Sequence, residues 1–263
     1  MSNGMTACGG AFRYEFLMQV RRRSLWISLL LVELLQFLIY VRLPHLYDFL
    51  HIYFQMPINQ TMAQLALMVN TLLPAAFGCL IADRLPRDRR TRVEELFMAT
   101  LQPSGSRLIG KYFGSVCATL IPIILFLLLG TGFVLYRTGD IACIPLALTA
   151  FVIIILPGIL FISAFSLACP TIMWVPLYQF CFVGYWFWGN FLGPAHGIPT
   201  LTDTILTPSG KFMATGIFGL DSKHTGIVAS PTQGWESLSL LVGLAVLVLC
   251  VLWLVQRWQQ ARQ

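Results

Sequence analysis

Six long apolar stretches constrain this chain more than any other feature of its sequence. They lie at about 24–41, 61–82, 112–136, 141–168, 170–192 and 237–255. A helix needs roughly 20 mostly apolar residues to cross about 30 Å of hydrocarbon. The chain is 57% hydrophobic and only 11% charged, whereas a soluble domain carries about 25% charged residues. The sequence therefore predicts an all-α polytopic membrane protein, in which residues 1–263 form a single domain with six transmembrane helices.

The positive charges fall mostly on one side of these six spans. Four precede the first span, seven lie in the loop 83–111 and two follow the last span. The other side holds Arg42, Arg137, Lys211 and Lys223. Because cytoplasmic loops of membrane proteins carry an excess of Lys and Arg, this bias predicts that both termini and the loop 83–111 are cytoplasmic. The protein is then a multi-pass protein of the cell membrane.

The excess of basic over acidic residues, 17 against 11, indicates contact with lipid and no binding of nucleic acid. The cations lie beside apolar runs, as charges that orient a membrane protein do. Within 11–23, Phe12, Phe16 and Val20 recur at a spacing of four, and arginines follow at the end. This pattern predicts an amphipathic interfacial helix over 11–23, lying on the inner face of the membrane.

The loop 193–236 is predicted to be extracytoplasmic. It holds seven glycines and four prolines, which are too many for one long regular element. Just before it, the run Tyr185-Trp186-Phe187-Trp188 falls near the outer end of the fifth span. Aromatic residues at this depth are typical of the belt at a membrane–water interface, and a surface on which substrate stacks is the alternative.

Motifs of enzyme chemistry are absent from the sequence or lie in the wrong context. Gly105 to Lys111 match the spacing GxxxxGK of a phosphate-binding loop, but Tyr112 follows where a hydroxyl would hold Mg²⁺, and no strand precedes the motif. The seven cysteines include no CxxC pair, and neither HExxH nor GxSxG occurs. His45, Asp48 and His51 are interpreted as a solvated loop. We expect no catalytic, cofactor-binding or metal residues on this chain.

Two polar residues lie at mid-depth in predicted spans. Glu33 is in the first span and Asn70 is in the second. A carboxylate in lipid is costly and usually faces the protein interior or a water-filled path, and an amide can form hydrogen bonds across helices. A functional role inside the membrane and a packing role at a helix contact are both open for these two residues.

The loop 83–111 is the most informative region for function. It begins with mixed charges and continues through 93–101 with good helix formers, and Pro103, Ser104 and Gly105 then end the pattern. A short cytoplasmic helix close to the membrane is predicted here, between the second and third spans.

This loop also carries a pattern of basic, acidic and small residues. A basic pair precedes the short helix, Glu-Leu and Ala-Thr lie within it, and a basic residue and Gly-Lys open the third span. The positions are Arg89, Arg90, Glu95, Leu96, Ala99, Thr100, Arg107, Gly110 and Lys111. The pattern resembles the ABC-2-type permeases, the membrane subunits of a large class of ABC exporters, and the architecture of the whole chain is similar to theirs. The chain departs from the family at Arg92-Val93, where Gly-Thr is usual, and at Leu101, where proline is usual.

The resemblance implies a permease domain over the whole chain and a coupling helix in the loop 83–111. The residues it would assign to coupling are Glu94, Glu95, Leu96, Phe97, Ala99, Thr100 and Arg107. In this family the coupling helix docks on a separate ATPase subunit, which binds ATP and Mg²⁺, so this chain would move substrate outward without being an enzyme. Six spans make half of such a transporter, so a second permease would complete a homodimer or heterodimer.

Two alternatives stand beside this reading. One is an integral membrane enzyme, which would need polar residues that converge near one membrane face. The other is a permease-like subunit that couples ATP hydrolysis to a task other than transport.

Overall fold

The structure, a computed structural model, describes residues 2–42, 56–90, 104–191 and 200–260. Its helices are α1 Ser2–Val20, α2 Arg23–Arg42, α3 Ile58–Ala82, α4 Arg84–Arg90, α5 Ser104–Thr138, α6 Cys143–Ala150, α7 Leu156–Ala168, α8 Val175–Phe191, α9 Lys211–Phe218, α10 Ser222–Thr225 and α11 Pro231–Gln260. No β-strand occurs within these four ranges. The predicted all-α class is confirmed.

Four helical segments are long and apolar enough to cross a membrane. They are Ile58–Arg87, Gly105–Thr138, Cys143–Thr171 and Pro231–Trp258. They correspond to the second, third, fourth and sixth predicted spans, so the prediction of a helical membrane protein is confirmed. The regions predicted as the first and fifth spans form α2, with 20 residues, and α8, with 17 residues.

The third predicted span begins earlier than the sequence pattern indicated. Helix α5 has 35 residues and starts at Ser104, eight positions before the predicted start at 112. Ser104 and Gly105, predicted to end the preceding short helix, instead open α5. Gly110 and Lys111 therefore lie inside a long helix, and this helix fixes their positions relative to the neighbouring elements.

The fourth predicted span is interrupted by a wider turn. A π-helical turn, Phe151–Ile155, joins α6 to α7, and the N–H of Leu156 donates to the carbonyl of Phe151. Pro157 follows at once in α7. Because proline has no N–H and its ring clashes with the preceding turn, the α-helical ladder cannot continue unchanged, and a single π-type turn is one known adjustment. The short 3₁₀ turn Cys169–Thr171 then leads towards α8.

The N-terminal helix is present but is longer than predicted, and a different face is packed. It begins at Ser2, not near residue 11. Phe12 and Phe16, predicted to lie on the membrane, stack on each other with ring centroids 5.9 Å apart. Glu15 and Gln19 are both buried, because this polar face lies against α5. The helix is thus part of the bundle as well as a candidate for contact with lipid.

Helices α4, α5 and α11 bring cations together at one end of the bundle, here called the basic end. Arg84 is the first residue of α4, Lys111 lies near the start of α5, and both pair with Glu15 of α1. Near the end of α11, the Trp253 ring lies against Gly105, and the guanidinium of Arg257 lies 5.6 Å from the centre of that ring. This end carries part of the charge bias from which a cytoplasmic side was predicted.

Part of the region 200–236 enters the bundle from the opposite end. Thr207 to Gly210 are all buried and lie against Asn70, twelve residues into α3 from Ile58. At 1.5 Å per residue, this contact lies about 18 Å along the helix from its N-terminal end. Helix α9 then runs back, and its Phe218 carbonyl accepts a hydrogen bond of 3.0 Å from Asn59. The predicted irregular loop therefore contains a re-entrant turn and a short helix.

The aromatic run near the end of α8 is divided between two environments. Tyr185, Phe187 and Trp188 are partly exposed, as an interfacial belt requires. Trp186 is fully buried, and its indole N–H donates to the Thr71 carbonyl of α3 at 2.8 Å. The prediction of an interfacial role was therefore wrong for Trp186, which joins α8 to α3.

Candidate functional site

A buried carboxylate, Glu15 of α1, lies between two buried cations at the basic end. Its Oε1 is 3.3 Å from an Arg84 guanidinium nitrogen, and its Oε2 is 3.9 Å from Lys111 Nζ. Arg84 is the first residue of α4, whereas Lys111 belongs to α5. One side chain of the N-terminal helix therefore makes ion pairs at both ends of the loop 83–111.

Neutral polar groups complete the surroundings of Glu15. The Gln19 amide donates to Glu15 Oε1 at 3.1 Å and also to Ser115 Oγ. Ser115 in turn donates to Glu15 Oε1 at 3.4 Å. Arg84 is less well satisfied, because its buried Nε and Nη1 have no hydrogen-bond partner in the described part of the chain, and Nη1 contacts Glu15 as an ion pair only. Buried charges are costly unless they are paired and hydrogen-bonded. The burial of Arg84 and Lys111 therefore depends on the Glu15 carboxylate.

Two glycines allow α1 to approach α5 closely beside these charges. A Cβ on Gly110 would lie 2.7 Å from the carbonyl oxygen of Cys8. A Cβ on Gly114, one turn later, would lie 2.8 Å from the carbonyl oxygen of Phe12. Small residues spaced four apart let membrane helices pack backbone to backbone. The spacing Gly110-x-x-x-Gly114 therefore sets the position of Glu15 relative to Lys111.

A second polar cluster lies inside the bundle, at the re-entrant turn. Asn70 is buried and donates to the carbonyls of Pro208, at 3.2 Å, and Ser209, at 2.9 Å. Its own Oδ1 accepts no hydrogen bond from the described residues. Gly210 begins α9 with a φ of 88°, and a Cβ there would lie 2.6 Å from a side-chain carbon of Ile154. Only glycine fits this left-handed, crowded position.

The same cluster extends towards the opposite end through Asn190 of α8. Thr207 Oγ1 donates to Asn190 Oδ1, and Lys211 Nζ donates to the Asn190 carbonyl at 2.8 Å. Burial lowers the pKa of Lys211 from its ordinary value, while the carboxylate of Asp203 acts in the opposite direction. These bonds join α8 to the start of α9, so the re-entrant turn is held by two long helices.

The structure brings together only some of the residues singled out from the sequence. Asn70 is a contact of the re-entrant turn, and Arg107 is half-buried in the first turns of α5. Glu33 belongs to α2, but its side chain lies outside the described part of the structure. The predicted coupling helix over 93–101 also lies outside the described residues. Its members there are Glu94, Glu95, Leu96, Phe97, Ala99 and Thr100.

Sequence reasoning missed Glu15, Gln19 and Arg84. An available signal was the polar pair Glu15 and Gln19, which are four residues apart and therefore share one face of a helix. This polar face lies in the same stretch as the apolar face, formed by Phe12, Phe16 and Val20, from which the amphipathic helix was predicted. Arg84 was counted only as one of several loop cations. Nothing in the sequence paired it with a carboxylate 69 positions away.

Neither a scan against models of protein families nor a search of curated proteins finds a match for this chain. Among the residues that the structure describes, no three His, Cys, Asp or Glu side chains are grouped as a metal site would need.

Replacement of Asn70 should loosen the re-entrant turn. In Asn70→Ala, two buried carbonyls lose their donor, and we expect a loss of about 1–3 kcal/mol in the free energy of unfolding. Asn59→Ala is the matched control, because Asn59 also donates to a carbonyl but lies at the start of α3. Thermal unfolding in detergent should show the larger shift for Asn70→Ala. Equal shifts would mean that Asn70 does not hold the turn.

Proposed function

We propose that this chain is the transmembrane permease subunit of an ABC-2-type exporter, driven by ATP hydrolysis on a separate subunit. The observation that supports this most strongly is the pairing of Glu15 with Arg84 and Lys111. These two cations flank the loop 83–111, and the resemblance places the coupling helix within that loop. A force on the loop would therefore reach α3, α5 and α1 together.

The geometry also gives a reason for two residues of the family-like pattern. Gly110 is needed because the backbone of α1 passes where a side chain would be. Lys111 is needed because it pairs with Glu15. Both roles concern the attachment of the loop to the membrane helices, which is where a coupling element must be rigid.

In this proposal α2 and α8 complete the set of six spans. The 20 residues of α2 extend about 30 Å, which matches the hydrocarbon thickness. Helix α8 is shorter, but it packs on α3 through Trp186 and on the re-entrant turn through Asn190. Six spans leave both termini on one side, and a second permease, identical or related, supplies the other half of the transporter.

The topology can be measured by labelling single cysteines in intact cells, in a background without the seven native cysteines. Ser222→Cys should react with an impermeant thiol reagent, because α10 lies in the predicted outer region. Ser2→Cys and Gln263→Cys should be protected until the membrane is permeabilised. Strong labelling of Gln263→Cys in intact cells would mean that the number of spans is odd.

Purification from native membranes in mild detergent tests the functional class. We expect the chain to retain an ATPase polypeptide that carries its own phosphate-binding loop, in a stoichiometry of one ATPase for each permease. An integral membrane enzyme would purify without an ATPase. A permease-like subunit with another task would retain the ATPase but show no flux of any substrate in vesicles.

A further inference from the structure

A groove opens at the basic end, between the start of α2, the end of α3 and the start of α8. Its volume is about 490 Å³, which lies within the range typical of small-molecule sites. Arg22, Leu80, Asp83, Trp174, Val175 and Gln179 are among the residues that line it. Three separate elements therefore contribute side chains of different chemistry to one cavity.

The polar part of the groove offers one cation and one anion. Arg22 is half-buried and makes no ion pair within the described part of the chain. A guanidinium presents a planar fork of donors that suits phosphate. Asp83 ends α3 and supplies a carboxylate in the same groove. A head group with both a phosphate and an amine complements this pair of charges.

The remainder of the groove is suited to hydrocarbon. Leu80 and Val175 provide apolar walls, and Trp174 at the groove is 67% exposed. Ile172, two residues earlier, is 93% exposed. Trp side chains in such positions commonly lie at the level of lipid head groups. A free soluble phosphate would gain nothing from these apolar surfaces, whereas a membrane amphiphile would.

We propose that this groove binds an amine-headed phospholipid from the leaflet at the basic end. Arg22 binds the phosphate, Asp83 accepts hydrogen bonds from the ammonium group, and the acyl chains leave along Leu80 and Trp174. The site goes beyond the proposed transport function and does not depend on it, because lipid binding is measurable without any ATPase.

Native mass spectrometry of the purified full chain tests this site. The probes are phosphatidylethanolamine, phosphatidylglycerol and soluble glycerophosphoethanolamine, which has the same head group without acyl chains. Arg22→Gln should weaken retention of phosphatidylethanolamine by about tenfold, as expected when hydrogen bonds to a charged group are lost. Asp83→Asn should remove the preference for phosphatidylethanolamine over phosphatidylglycerol. Arg13→Gln is the matched control, because Arg13 is exposed on α1, and it should leave retention unchanged.

Trp174→Ala provides a second variant that should fold normally, since this side chain is largely exposed, and it should also weaken lipid retention. Equal retention in Arg22→Gln and Arg13→Gln would overturn the proposal. So would displacement of the lipid by glycerophosphoethanolamine at similar concentration, which would point to a soluble ligand. If Arg22→Gln instead abolished ATPase binding and left lipid retention intact, the groove would be a protein-docking surface.

Discussion

Replacing Glu15 with alanine is expected to lower the free energy of unfolding by about 3–5 kcal/mol, since it removes the carboxylate that pairs with two buried cations. Arg84 and Lys111 both lose their ion pair with this carboxylate. Gln19 and Ser115 also lose an acceptor. The free energy should be measured by reversible unfolding in mixed micelles.

A matched control and a double variant separate this effect from a general sensitivity of the chain. Glu236 is an exposed carboxylate at the start of α11, and Glu236→Ala should change stability by no more than about 0.5 kcal/mol. Glu15→Gln combined with Arg84→Met should be more stable than Glu15→Gln alone, because an apolar replacement removes the unpaired charge. If Glu15→Ala behaved like Glu236→Ala, the carboxylate would not hold the basic end together.

The second large effect is expected at Phe97, in the predicted coupling helix. If its ring fills a groove on the ATPase, Phe97→Ala should weaken ATPase binding by roughly 1.5–3 kcal/mol, which is a change in Kd of about tenfold or more. Glu94→Ala, which would remove a charge at the rim, should cost about 1 kcal/mol or less. The Kd should be measured between the permease in nanodiscs and the ATPase that copurifies with it.

The order of these two effects is the informative result. A larger loss for Glu94→Ala than for Phe97→Ala would mean that the contact is electrostatic, and the Kd of the wild-type pair should then rise steeply with salt. No loss in either variant would place the ATPase contact elsewhere on the chain.

The broad architecture was predictable because lipid imposes it. Apolar runs of about 20 residues mark membrane helices whatever their packing, so four of the predicted spans recur as long apolar helices. Their ends were less predictable. The residue types of Ser104 and Gly105 are compatible with the end of one helix and equally with the start of the next. Only the packing of α5 against α1 and α11 distinguishes these two possibilities.

The candidate site was mostly not predictable, because it depends on contacts between distant parts of the chain. Glu15 and Arg84 are 69 positions apart, and Asn70 meets Pro208 across 138 positions. Trp186 was predicted to be an interfacial aromatic residue, yet it lies in the core, where its indole N–H donates a hydrogen bond to a carbonyl of α3. In the sequence, Gly110 belonged only to the rejected phosphate-loop spacing and to the family-like pattern. The structure gives it a physical reason, which is the backbone of α1 lying against it.

Site-directed cross-linking in native membranes tests the central claim most directly. A photoactivatable thiol reagent attached to Phe97→Cys should cross-link to a polypeptide that carries a phosphate-binding loop, and ATP should change the yield. The same reagent on Ser222→Cys, on the predicted outer side, should give no such product. Cross-linking to an ATPase from position 97 alone is the result that the proposed permease function predicts. The absence of an ATPase product at position 97, or its appearance from position 222, would contradict the proposal.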